Sequence, residues 1–122
     1  MAEKLLIILT TGPEDRGNRA TLAFAMGVTG LINGVEVAIY MTVSGAFWSR
    51  RRAIESVQVS GFEGLATYVD QFLDFGGKIE VCSPCNEFYC AASDDEPLLS
   101  GAEVTGLSHV VDLALGASVV TL

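Results

Sequence analysis

Between Lys4 and Thr10 the chain reads KLLIILT, with five successive apolar residues and no polar alternation. A strand with one face in water alternates apolar and polar side chains. A continuous apolar run containing β-branched residues instead suits a parallel strand buried on both faces. Such a strand needs helices above and below it, and the rest of the chain supplies them in alternation.

After the turn at Thr11–Asn18, a helix is expected from about Arg19 to Asn33. Asn18 is placed as its N-cap, and Gly34 sits where a left-handed residue ends a helix. Val35–Met41 (VEVAIYM) reads as a second strand. Residues 42–61 show no clean period and read as a long loop with a helical turn, the kind of loop that serves as a lid or an interface arm. Leu65, Val69, Phe72 and Leu73 share one helical face in Phe62–Phe75, which Gly76-Gly77 ends. Lys78–Val81 is a third strand, followed by a cysteine turn and a short helix. An acidic break follows at Asp94-Asp95-Glu96-Pro97. A short strand near Ala102–Val104, a helix over Leu107–Leu115 and a last strand at Ser118–Leu122 complete the order. This pattern predicts a three-layer α/β/α fold with a mostly parallel five-stranded sheet and right-handed crossovers. At 122 residues it forms one domain, residues 1–122.

Half the residues are hydrophobic and the mean hydropathy is +0.44. The longest uncharged stretch, Ala20–Val35, is interrupted by three glycines and an asparagine and falls short of the roughly 18 to 20 apolar residues of a spanning helix. No secretory leader is visible at the N-terminus. A soluble cytoplasmic protein is therefore expected, with its surplus apolar surface buried in a homo-oligomer. The formal net charge of -8 argues against nucleic acid and anionic membranes as partners.

Chemistry concentrates at Cys82-Ser83-Pro84-Cys85. Ligands and catalytic groups in open α/β sheets gather beyond the carboxyl ends of strands, where Cys82 falls. Ser83 is placed as an N-cap, Pro84 as the first helical residue and Cys85 in the first turn. Free N–H groups and the helix dipole favour a thiolate there. Glu80, Glu87 and the 94–96 run oppose it, so a cation is expected to offset them. Arg50, Arg51 and Arg52 are the candidates, on a 42–61 loop that covers the turn from the same subunit or a neighbour. Bland packing is the alternative for the cysteines, and the expected role of Cys90. Three cysteines and His109, without a second CxxC or an HxxxH, make a poor zinc set, and no metal is expected. His109 reads as structural or solvent-edge, and Trp48 and Tyr68 as packing or interface groups. The Thr10-Thr11-Gly12 turn lacks the P-loop and GxGxxG patterns, so no organic cofactor is expected.

The segments KLLIILTTGPED, GVEVAIYMTVSGA, GGKIEVCSPC and LLSGAEVTGLSHVVDLAL, in this order, resemble the DsrE/DsrF-like family over nearly the whole chain. The helix after the cysteines departs from that pattern, reading NEFYCAA where an Arg-Gly pair is common. The resemblance implies a compact α/β/α fold, homo- or hetero-oligomers, and sulfur carried as a cysteine persulfide between donor and acceptor proteins. It implies an acceptor cysteine at Cys82, with Cys85 as the second cysteine, and leaves both as carriers. Two other functions remain open: an oligomeric binding or regulatory module with structural cysteines, and a CxxC dithiol redox protein. A thioredoxin-type motif follows an early strand, whereas this one lies two-thirds along the chain.

Overall fold

In the computed structural model, residues 3–90 and 97–122 are described, with the side chains of Tyr89 and Cys90 left out. The expected acidic break at 94–96 and the expected packing of Cys90 therefore lie outside what is described.

Five parallel strands form one sheet in the order β4-β3-β2-β1-β5. They are β1 (Lys4–Leu9), β2 (Glu36–Met41), β3 (Lys78–Cys82), β4 (Glu103–Thr105) and β5 (Ser118–Thr121). Among the described residues, five α-helices connect them: α1 (Asn18–Ile32), α2 (Arg51–Glu55), α3 (Leu65–Asp74), α4 (Ser83–Cys90) and α5 (Leu107–Leu115). Strands β1 to β4 step in one direction, and the chain then returns to the far side of β1. With right-handed crossovers, that reversal sends α5 to the opposite face from α1 and α3.

The core shows the two faces. Ile7, Leu9, Ile39, Met41, Ile79 and Val81 pack with Phe24 of α1 and Phe72 of α3, whose rings meet edge to face at 5.4 Å. The alternate residues Leu6, Tyr40 and Cys82 form a second cluster, covered by Val110, Leu113 and Ala114 of α5. The apolar run of β1 is thus buried on both sides, as its lack of alternation predicts.

Local starts and stops differ from the sequence reading in three places. First, Gly17, at a φ of 85°, is the N-cap of α1, and Asn18 is already helical. Asn18 donates its side-chain amide back to the Asp15 carbonyl. The Asp15 carboxylate performs the capping instead, accepting the N–H groups of Gly17 and Arg19 at 3.1 and 2.9 Å. Second, residues 42–61 hold more helix than the one turn expected, with a 3₁₀ segment at Val43–Ser49 followed by α2. Third, β3 extends to Cys82 and the helix begins at Ser83, so Cys82 stands at the capping position assigned to Ser83. Among the described residues no helix is long and apolar enough to cross a membrane.

Candidate functional site

Register builds the site. Leu9 pairs with Met41, and Met41 with Val81, so β1, β2 and β3 end level with one another. The next residues along β2 and β3 are Thr42 and Cys82, which brings a hydroxyl and a thiol together from positions forty residues apart.

The 3₁₀ segment Val43–Ser49 crosses these strand ends and is anchored at several points. Trp48, buried, donates its indole N–H to the Thr11 carbonyl at 2.9 Å. The Ser44 hydroxyl accepts the Gly12 N–H at 3.0 Å and bonds the Glu14 carboxylate, which holds the Glu14 pKa below its usual value. Gly45 lies so close to β1 that a Cβ there would stand 2.1 Å from the Leu9 carbonyl oxygen. The Thr10-Thr11-Gly12 turn is filled from within: a Cβ on Gly12 would meet the Ser44 carbonyl oxygen at 2.4 Å.

This docking brings the start of the segment onto the cysteines. The backbone N–H of Val43 donates to Cys85 Sγ at 3.1 Å, and Thr42 Oγ1 lies 3.6 Å from the same sulfur. Val43 has a φ of 55°. A β-branched residue in the left-handed region is strained, and such strain persists only where surrounding contacts over-determine it.

Cys82 is 4% exposed and Cys85 half-buried, and both are free thiols. Burial pushes the Cys82 thiol up. The polar groups around it, Tyr40 first, then Cys85 and Thr42, outweigh that, so its pKa falls below the ordinary thiol value. Tyr40, whose buried hydroxyl has no hydrogen-bond partner among the described residues, is pushed well up by its own burial and then by the neighbouring Cys82.

The 42–61 segment does cover the cysteine turn, from the same chain. Its arginines engage other groups. Arg50 donates to Asn86 Oδ1 of α4 at 3.1 Å and to Ser49 Oγ at 2.8 Å, while Arg51 pairs with Asp70 at 2.9 Å. Arg50 therefore clamps the lid to α4, and the cation expected to offset the local carboxylates is replaced by hydrogen-bond donors. Thr42 and Val43 carry that role at Cys85. Sequence reading singled out neither, because their approach to the cysteines depends on strand register.

His109 of α5 meets Glu80 of β3, with Nε2 2.7 Å from Oε1. Glu80 is buried and on the same strand face as Cys82. A recess of about 810 Å³ opens beside this pair and not over the cysteines; Arg51, Asp70 and Glu103 help line it. Its walls include polar and charged groups but neither Cys82 nor Cys85. Among the described residues no group of three or more His, Cys, Asp or Glu side chains is set to hold a metal.

Fold and site together define a three-layer α/β protein with a hydrogen-bonded thiol pair at the carboxyl end of a parallel sheet. The chain belongs to the DsrE/DsrF-like family, whose model matches residues 3–122. An uncharacterized protein of Methanocaldococcus jannaschii, MJ0989, is 26% identical over 110 residues, covering 88% of this chain and 89% of that protein. Among solved structures, the ychN protein from E. coli superposes with a TM-score of 0.77 at 12% identity, over 98% of this chain and 99% of that one. A conserved protein of unknown function from Bacteroides thetaiotaomicron, BT1422, has a TM-score of 0.60 at 17% identity, over 98% and 95% of the two chains. At these identities the structures speak for the fold alone.

Proposed function

We propose that this protein is a sulfur-relay carrier that takes up sulfane sulfur as a persulfide on the Cys82/Cys85 turn and passes it to an acceptor thiol. The observation that supports this most directly is the convergence of Thr42, the Val43 N–H and a helix start on Cys85, three residues after the buried Cys82. Those donors stabilise the charge that develops when a thiolate attacks sulfur, and persulfide transfer follows the rules of thiol–disulfide exchange. Membership in a family of the sulfur-relay type gives the same direction. Cys85 is the thiol that solvent reaches, so it meets the donor. Cys82 is the buried partner whose thiolate is favoured.

The carrier acts in the cytoplasm as a homo-oligomer, with donor and acceptor proteins as its other partners. Leu107, Val111 and Leu115 recur at helical spacing along α5 and are 61%, 54% and 83% exposed, an apolar stripe suited to a second copy.

The test is incubation of reduced protein with a sulfane-sulfur donor, followed by intact and peptide mass spectrometry of wild type, Cys82→Ser and Cys85→Ser. One added sulfur atom, found on Cys85 and lost in Cys85→Ser, is the expected result. No adduct on either thiol, together with slow alkylation of both in the folded protein, would turn the reading toward a binding module with structural cysteines.

A further inference from the structure

The fate of the sulfur, once bound, depends on the second cysteine. Cys85 packs against the cluster that contains Leu6, Tyr40 and Cys82. The Val43 N–H and Thr42 Oγ1 hold its sulfur at the strand ends, beside Cys82. A persulfide on Cys85 therefore sits against the cluster that holds the second thiol, at the shared strand-to-helix turn.

We propose that the chain discharges the persulfide it loads, releasing hydrosulfide and closing a Cys82–Cys85 disulfide, and is reset by an external dithiol. This rests on the persulfide reading above. In loading, the Cys85 thiolate attacks the outer sulfur of a donor persulfide, R–S–SH. The S–S bond of the donor breaks and R–S⁻ leaves, giving Cys85–S–SH. In discharge, the Cys82 thiolate attacks Cys85 Sγ. The bond from Sγ to the outer sulfur breaks, and the outer sulfur departs with the electron pair as HS⁻. The sulfane sulfur is reduced to sulfide while the two cysteines are oxidised to a disulfide, so loading and discharge need no other oxidant or reductant. A low-molecular-weight dithiol then reduces the disulfide and returns both thiols.

Competition decides between discharge and onward transfer. A tethered nucleophile acts at an effective concentration on the order of mM or higher, and far higher when well oriented. An acceptor protein at lower concentration loses to Cys82 unless it is docked over Cys85 when the persulfide forms. The chain thus hands on sulfane sulfur when such a partner is present and releases sulfide when it is absent.

The experiment loads reduced wild type and Cys82→Ser with glutathione persulfide and removes the donor by gel filtration. It then follows intact mass and trapped sulfide with time, before and after dithiothreitol. Cys82→Ala serves as a second variant, and near-ultraviolet circular dichroism checks that each is folded. In wild type, the expected course is a transient one-sulfur adduct that decays to a disulfide with one sulfide released per chain. Both variants should keep the adduct on Cys85 and release no sulfide. A wild-type adduct as long-lived as that of the variants, or sulfide released without a disulfide, overturns the discharge and leaves carriage standing. Absence of any adduct in wild type and folded variants alike removes carriage, and discharge with it.

Discussion

The backbone N–H of Val43 lies 3.1 Å from the sulfur of Cys85, and the residue that directs it there is a valine held at a φ of 55°. Left-handed backbone costs a non-glycine residue about 1–3 kcal/mol. Here it is held in place by the Trp48, Ser44 and Gly45 contacts further along the segment. Val43→Gly relieves that strain and keeps the N–H, against a backbone entropy loss of about 0.5–1 kcal/mol. A net stabilisation of about 1 kcal/mol is expected, which raises the melting midpoint by several degrees in a domain of this size. An unchanged or lower midpoint would show that the valine side chain contributes more by packing than the strain costs.

Gly45→Ala has the opposite consequence. Its Cβ would lie 2.1 Å from the Leu9 carbonyl oxygen, and backbone has little room to yield. The segment must lift from the strand ends, at a cost of about 1–3 kcal/mol. Iodoacetamide should then reach Cys82, buried in the wild type, and peptide mapping of the labelled protein reads this directly. Protection of Cys82 equal to wild type would show that the segment does not shield it.

Tyr40→Phe removes the buried hydroxyl that does most to lower the Cys82 pKa. A hydrogen bond to a charged group is worth about 1.5–3 kcal/mol, or roughly one to two pH units. The pH profile of Cys82 alkylation should move up by that amount in the variant. The linkage to stability has a definite sign. A thiol lowered in the folded state stabilises the fold fully above the unfolded thiol value near 8.5, and this contribution is lost as pH falls through the folded pKa. The wild-type melting midpoint should therefore gain on Tyr40→Phe as pH rises from neutral toward about 9. Parallel curves for the two proteins would remove Tyr40 from this role.

His109→Leu leaves the buried Glu80 carboxylate without the imidazole at 2.7 Å. A buried acceptor deprived of its partner costs about 1–3 kcal/mol, so urea unfolding should shift to lower midpoints by that amount. Glu80→Gln combined with His109→Leu should recover part of the loss, because the uncompensated charge is gone. Equal midpoints for His109→Leu and wild type would mean that solvent supports Glu80 as well as His109 does.

Leu115 is 83% exposed and Val111 54% on the outer stripe of α5. If a second copy covers that stripe, Leu115→Glu should lower the mass found by sedimentation without loss of helical circular dichroism. A monomeric wild type at tens of micromolar, or an unaltered oligomer in the variant, would place the interface elsewhere.

What the sequence determined by itself was local chemistry and layer order. The unalternating KLLIILT run called for a strand buried on both faces, and β1 is one; the alternation of strands and helices called for three layers, and α1, α3 and α5 supply the outer two. Apolar periodicity is written residue by residue, so it survives without knowledge of the partner. Cys82 and Cys85 were equally legible, because strand end, proline and helix start are neighbours in sequence. Tertiary structure decided what those thiols face. The parallel register of β2 and β3 sets Met41 beside Val81, so that Thr42 follows on one strand where Cys82 follows on the other, and Val43 reaches Cys85 through a 3₁₀ segment seated on Leu9, Thr11 and Gly12. Asp15 displaced Asn18 as the cap of α1 for the same kind of reason, since a preceding tight turn aimed its carboxylate at the free N–H groups. Hydrogen bonds between distant residues depend on which strands adjoin and at what offset. That offset is set by the packing of both sheet faces at once, which no single segment encodes.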